Sequence, residues 1–383
     1  LGILVTSIQC LSQTIIPSGN VYGTWSISGS PYLINGDIAV PKDSSLIIEK
    51  GVVVDFRGNY LLDINGRLIA IGDVSDTIYF TNTIGTFLGW AGIQFDSVSS
   101  SQDSSKIQYC SLTKAGAYGD LLEGGAFRIN YSSKIDISNC LIKNCGSHMD
   151  GGAGIWCNNG SPKISFCTIK NNMAINGDGG GIYIVSDTNQ AIIDNNIICF
   201  NEASDGGGLY IKGNVKVINN FICNNHGSWG GGILAFDGYY FNNVIANNQG
   251  SVGGGVFCRT SSDRVRIINC NIINNFSSAV GGGLSSNYWS NPTVLNSIIY
   301  GNLSGNNQGD QVYIDSWSDA VFRNCDIQEG FDSIYVDGSF SGTYIDNIAM
   351  DPLFLAPTPD TGDYNAHLAD WSVFSSSPCI DTG

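Results

Sequence analysis

The feature that most limits how this chain can fold is a glycine triplet followed by an apolar, an aromatic or apolar, and another small or apolar residue. It reads Gly179-Gly180-Gly181-Ile182-Tyr183-Ile184, Gly206-Gly207-Gly208-Leu209-Tyr210-Ile211, Gly230-Gly231-Gly232-Ile233-Leu234-Ala235, Gly253-Gly254-Gly255-Val256-Phe257-Cys258 and Gly281-Gly282-Gly283-Leu284. Weaker copies stand at Gly92-Ile93-Gln94-Phe95, Gly125-Ala126-Phe127-Arg128-Ile129, Gly154-Ile155-Trp156-Cys157 and Val312-Tyr313-Ile314. Neighbouring strong copies lie 23 to 28 residues apart. A period of that size marks a solenoid.

A second repeat runs in step with the first. A polar pair followed by x-Ile recurs as Asn195-Asn196-Ile197-Ile198, Asn219-Asn220-Phe221-Ile222, Asn242-Asn243-Val244-Ile245 and Asn269-Cys270-Asn271-Ile272. A further asparagine pair follows at Asn171-Asn172, Asn224-Asn225, Asn247-Asn248 and Asn274-Asn275, and short alternating runs such as Val215-Lys216-Val217 precede. Each coil therefore holds about three short strands separated by bends. Strands this short bury no face alone and must stack on the next coil. Asparagine suits a repeated bend because it tolerates left-handed backbone and its amide can bond the asparagine one coil away.

On these residues the chain resembles the right-handed parallel β-helix proteins of the pectin-lyase-like superfamily over most of residues 36–345. The run Gly36-Asp37-Ile38-Ala39-Val40-Pro41 resembles the first coils of secreted bacterial members, and Asp351-Pro352-Leu353-Phe354 with Ser377-Pro378-Cys379-Ile380-Asp381-Thr382-Gly383 resembles the closing segment of surface-anchored ones. The expected fold is all-β, one right-handed parallel β-helix domain of about eleven to thirteen coils. It should span residues 14–345, after a signal-peptide remnant at 1–13 and before a truncated closing segment at 346–383. Leu1-Gly2-Ile3-Leu4-Val5 reads as the end of an apolar signal core, which implies export to the medium or a bacterial cell surface.

With 49 glycines and 13% charged residues, the 383-residue chain is no helical bundle, and it has no apolar run long enough to span a membrane. Its net charge of −16, with no contiguous Lys/Arg cluster, argues against nucleic acid as a partner. Polysaccharide or cell-surface glycan remains the expected partner of a monomer. Twelve cysteines in an exported chain would suggest disulfides. However, Cys110, Cys140, Cys167, Cys270 and Cys325 share one column of the repeat, so buried free thiols stacked in a ladder are expected.

The outward position of the strand after the glycines holds Gln94, Arg128, Trp156, Tyr183, Tyr210, Leu234, Phe257, Ser285 and Tyr313. Trp156, Tyr183, Tyr210 and Phe257 are the candidate substrate-binding residues, since a row of rings suits stacking on sugars; equally, such rings can simply cover the sheet. Just before the glycines, Glu123, Asp178 and Asp205, with Asp150 one residue out of register, form an acidic column that gives way to Trp229, Val252 and Val280. Three readings of these acids stand: turn residues bonding nearby N–H groups, a Ca²⁺ site at Asp150, Asp178 and Asp205, or catalytic carboxylates with Arg128 beside Glu123.

Two classes of function follow, with a structural spacer as a third. The favoured one is a glycan-binding or adhesive protein using the aromatic stripe. The other is a polysaccharide lyase or glycoside hydrolase with its cleft over Glu123, Asp150, Asp178 and Asp205. The Asn-Thr-Asp, Asp-Asp and Gly-His-Gly motifs of polygalacturonase-like hydrolases are missing, as is the compact Arg/Lys cluster of pectate lyases. Short turns also leave few loops to build a cleft.

Overall fold

The computed structural model describes residues 13–85, 89–98, 104–117, 124–148, 151–259, 264–361 and 368–380. One coil illustrates the solenoid. The strand Ile182–Asp194 forms a first face, bends, and continues as a second. Asn195 turns the chain in left-handed geometry, and Ile197–Cys199 forms a third face. After a short crossing the next glycine triplet begins the following coil.

The faces stack in parallel register. On the first, Ile182, Leu209, Ile233, Val256, Leu284 and Val312 align from coil to coil. On the second, Ile193, Val217, Tyr240, Ile267 and Val294 align. The third aligns Ile198, Ile222, Ile245, Ile272 and Ile299. All of these side chains are buried and belong to one continuous core. Fully burying one aliphatic side chain contributes roughly 1.5–3 kcal/mol, and each coil gains its stability from several such residues touching the coils on either side, as Leu209, Ile211, Val215, Val217 and Ile222 do.

The third face is a 13-stranded sheet running from Thr14–Ile16 to Asp326–Ile327. The first and second faces join as one 24-stranded sheet, because strands such as Ile182–Asp194 and Leu209–Ile218 pass round the bend unbroken. A fourth, shorter element was not expected: in some coils the crossing pairs as well, as in Gly116–Ala117, Gly146–Ser147 and Met173–Ala174.

The asparagine pairs divide the work of the bends. The first residue of each pair takes the left-handed conformation: φ is 55° at Asn195, 54° at Asn219 and 54° at Asn242. The second points inward and builds a ladder. Asn196 Nδ2 donates to Asn220 Oδ1 at 3.0 Å, and Asn220 Nδ2 to Asn243 Oδ1 at 3.1 Å. A second ladder runs Asn172, Asn201, Asn225, Asn248, Asn275 and Asn302, each amide reaching the next at 3.0 Å.

Cysteine occupies rungs of the first ladder at both of its ends. Cys167 N–H donates to Asn196 Oδ1 at 2.8 Å, and Asn243 N–H reaches Cys270 Sγ at 3.4 Å. Among the described residues every cysteine is free and all but Cys379 are buried.

The glycine triplet serves two needs, seen at Gly206-Gly207-Gly208. Gly206 has φ of 60°, open to glycine at little cost. A Cβ on Gly207 would collide with the His226 carbonyl, and one on Gly208 would lie 2.6 Å from the Gly232 carbonyl oxygen and 2.9 Å from the Asn225 amide. The triplet thus lets the corner approach the next coil and the ladder beneath it.

Beyond Ile345 the chain runs back along the flank of the third face. Phe354–Ala356 and Asp370–Val373 pair antiparallel, and Trp371 packs on Ala246 and Ile273. Asn247, Asn271 and Asn274 donate to the backbone carbonyls of Asp360, Trp371 and Thr358. The outward column of the third face is Lys143 and Lys170 in earlier coils and becomes Ala246 and Ile273 where this segment covers it. Among the described residues, no helix is long and apolar enough to cross a membrane.

Candidate functional site

The first face and the corner before it carry the densest chemistry. Gly179 N–H donates to the Asp205 carbonyl at 2.8 Å and Gly206 N–H to the Trp229 carbonyl at 2.8 Å, which fixes Asp178, Asp205 and Trp229 in one column, a coil apart. The column continues through Val252 and Val280, as the repeat predicts. Glu123 and Asp150 lie outside the described residues.

Asp178 and Asp205 flank two tyrosines. Tyr183 and Tyr210 align in register, their rings stacked with centroids 4.5 Å apart and 20° from parallel. Burial holds the Tyr210 hydroxyl well above the usual range, reinforced by Tyr183, Asp178 and Asp205 and opposed by Arg259. Burial also raises the Asp205 carboxyl, against the Trp229 backbone and Arg259, which favour its ionised form. The Arg259 guanidinium lies over Trp229 at 4.4 Å and Tyr288 at 4.8 Å. Such cation–π contacts anchor a basic group that bears on both Asp205 and Tyr210.

The expected aromatic platform needs correction. Coils lie about 4.8 Å apart, which is close to a ring-stacking distance, so the rings stack on one another along the axis. Trp156 is parallel to Tyr183 within 4° at 6.3 Å, and Tyr210 meets Phe236 at 5.3 Å. Ring faces are consumed by neighbouring rings, and edges and hydroxyls are what the tyrosines can present. Trp156 is 8% exposed, under the Arg128 guanidinium at 5.6 Å, and Phe257 is 1% exposed, packed against Trp229 at 5.8 Å. Neither ring offers a face to solvent, so both pack as cover for the sheet.

Arg128 stands in register one coil before Trp156 and two before Tyr183, at the end of the stack; Glu123, the acid expected beside it, lies outside the described residues. Of the expected calcium trio, Asp150 lies outside the described residues; among the described residues no group of three or more His, Cys, Asp or Glu side chains could hold a metal ion.

Sequence reading missed the exposed aromatics in the turn that follows the first face. Trp289 and Trp317, one coil apart, are 56% and 61% exposed and stack at 5.4 Å. Asp315 holds both turns, accepting from Tyr288 N–H at 2.7 Å and Trp317 N–H at 3.1 Å. Tyr288 and Trp289 both adopt left-handed backbone, φ 60° and 61°, which is uncommon for bulky residues and concentrates at functional sites. Counting forward from the glycine repeat would have placed Trp289 and Trp317 in equivalent turns.

A separate cavity of about 420 Å³ lies under the C-terminal segment, lined by Asn269, Asn296, Asp326, Trp371 and Cys379. It shares no residue with the first face.

These features define the class: the chain is a right-handed parallel β-helix protein. The sequence profile described as "Right handed beta helix region" matches residues 15–198, and the same stacking continues past that limit to Ile345. No curated protein matches the chain. Among solved structures, it is similar to one titled "Catalytic domain of GH87 alpha-1,3-glucanase in complex with nigerose", at 16% identity and a TM-score of 0.31, covering 89% of this chain. The chain spans 63% of that structure's length.

Proposed function

We propose that this protein binds polysaccharide across its first face, with Asp178, Asp205, Tyr183 and Tyr210 as the polar floor and the Trp289–Trp317 pair as an apolar contact. The observation that carries this reading is the gathering of two carboxylates and two tyrosines on adjoining coils beside Arg259. Carboxylates and phenolic hydroxyls accept and donate to vicinal sugar hydroxyls, and charge-assisted bonds of this kind are the stronger ones. Exposed tryptophan faces suit the apolar faces of sugar rings. Export to the cell surface is part of the same proposal.

A second reading, hydrolysis, is favoured by one observation. Asp205 has a carboxyl raised by burial and stands one coil from Asp178, a rise of about 4.8 Å against the roughly 5–5.5 Å between carboxyls of retaining glycosidases. Retention on a panel of immobilised neutral and acidic glycans tests binding, with Asp178→Asn and the Tyr183→Phe/Tyr210→Phe pair expected to weaken it. Unchanged retention would refute it. Release of reducing ends that Asp205→Asn abolishes would establish hydrolysis.

A further inference from the structure

The second face carries a pattern that the linear sequence hides. Its outward column reads, coil by coil, Lys106, Asp136, Lys163, Ile192, Lys216, Tyr239, Arg266 and Thr293. From Lys163 to Arg266 a cation stands on every second coil, and Ile192 and Tyr239 fill the coils between. Successive residues of the column are 23 to 30 positions apart in the chain, which is why no basic cluster shows in the sequence. Folding turns isolated charges into a row.

We propose that this second face docks an acidic polysaccharide carrying one carboxylate per disaccharide, laid in extended form along the solenoid axis. Three observations support that occupant. The first is spacing: with coils about 4.8 Å apart, Lys163, Lys216 and Arg266 recur about every 10 Å. An extended pyranose chain advances by about one coil per sugar, so a charge on alternate sugars meets a cation on alternate coils.

The second is chemistry between the cations. Tyr239 is 51% exposed and Ile192 half-buried, so the uncharged sugars of the alternation meet apolar surface. The third is charge. Among the described residues, neither Lys163 nor Lys216 is engaged in an ion pair. The nearest acid on the same strand as Ile192, Asp194, accepts amide bonds from Asn195 at 2.8 Å and Asn219 at 3.1 Å. Arg266 is oriented by Thr293 Oγ1 at 2.9 Å. At the other end Asp136 faces Lys163, and its Oδ2 accepts from Gln108 at 3.2 Å, which ends the row there.

The spacing separates this occupant from nucleic acid. Double-stranded DNA carries a charge about every 1.7 Å, which a cation every 10 Å leaves mostly unmatched, and the chain's net charge of −16 opposes a dense polyanion.

The test uses the whole chain on immobilised hyaluronan, an alternating hexosamine–glucuronate polymer, with a neutral β-linked glucan and double-stranded DNA as comparisons. Retention on hyaluronan should fall as salt rises. It should weaken about fivefold for each charge removed in Lys163→Gln and Lys216→Gln, the magnitude typical of a lysine against an anionic surface. Lys143→Gln, which removes a charge from the third face, should leave it unchanged. Loss of hyaluronan by the double lysine variant, with retention of neutral glycan unchanged, separates this inference from the glycan reading of the first face. Both lysines project from the sheet, and circular dichroism checks that the variants keep their fold. The proposal is overturned by failure to bind hyaluronan, by equal retention on the neutral glucan or the DNA, or by unchanged retention of the double lysine variant.

Discussion

Tyr183 lies face to face with Tyr210, ring centroids 4.5 Å apart, each ring on its own coil and each beside an acid of the preceding corner. The stack is set by the coil spacing, so it is structural, while the hydroxyls it aligns are chemical. Replacing both tyrosines by phenylalanine separates the two roles. The stack and the denaturation midpoint should be preserved, while glycan affinity should fall about threefold to tenfold per hydroxyl, the loss of one net hydrogen bond. Calorimetric titration beside a urea melt reads both; a fall in stability with unchanged affinity would assign the pair to structure alone.

The inner asparagine ladder should be far less tolerant than its outer partners. Asn225 Nδ2 donates to Ile198 O and Asn248 Oδ1, and its Oδ1 accepts from Asn201 N–H and Nδ2. Asn225→Ala strands several buried groups at once and should cost about 3 kcal/mol or more. Asn242, left-handed and outward, should accept glycine at little cost and lose about 1–2 kcal/mol to valine. In the other ladder, Asn243→Cys should cost less than Asn243→Leu, because cysteine already occupies that column at Cys167 and Cys270. Urea midpoints for the five variants check this order.

Gly207→Ala should be among the most damaging single changes. Its Cβ would meet the backbone of His226 and the carbonyl of Gly231, neither of which can swing aside. A cost at the upper end of the roughly 1–3 kcal/mol of overpacking is expected, seen as a lowered thermal midpoint. Alanine at Gly19, where a Cβ meets no atom, shows only the cost of its left-handed φ.

Stability should fall in alkali. Burial pushes the thiols of Cys145, Cys157 and Cys258 up to about 12, and those of Cys270 and Cys325 to about 11. Unfolded thiols ionise near their ordinary value, so above it the unfolded chain holds fewer protons than the folded one and gains in relative stability. Each such thiol takes away on the order of 1.4 kcal/mol per pH unit between the two values. Urea melts under reducing conditions at pH 7.5 and pH 10 should show the decline, shallower in Cys258→Ala. A flat profile would mean the thiols are not buried as described.

The fold was legible because its signals repeat: Gly206 and Asn220 each recur in coil after coil at one phase, and chance does not repeat a corner. The column of Asp178, Asp205 and Trp229 was legible for the same reason. What the rings would do was not. Whether Tyr183 and Phe257 face solvent depends on the coil spacing and on Trp229 reaching over from another corner, which alternation along one strand does not encode. Arg259 looked scattered because its partners, Trp229 and Tyr288, are some 30 residues away on either side. Trp289 and Trp317 keep one phase, each five residues past the aligned Leu284 and Val312, but which turn residues the fold leaves exposed is not written in that phase.

The most direct test of the account is oxidative footprinting of tyrosine and tryptophan with a bound glycan, because it reads which face is covered. Saturating the protein with a polysaccharide it retains on the neutral panel should protect Tyr183, Tyr210, Trp289 and Trp317. Tyr79, 46% exposed on the third face, should oxidise as before. Protection of Tyr79, or of Tyr239 on the second face, with Tyr210 and Trp289 unchanged would contradict the assignment of the first face as the glycan-binding surface.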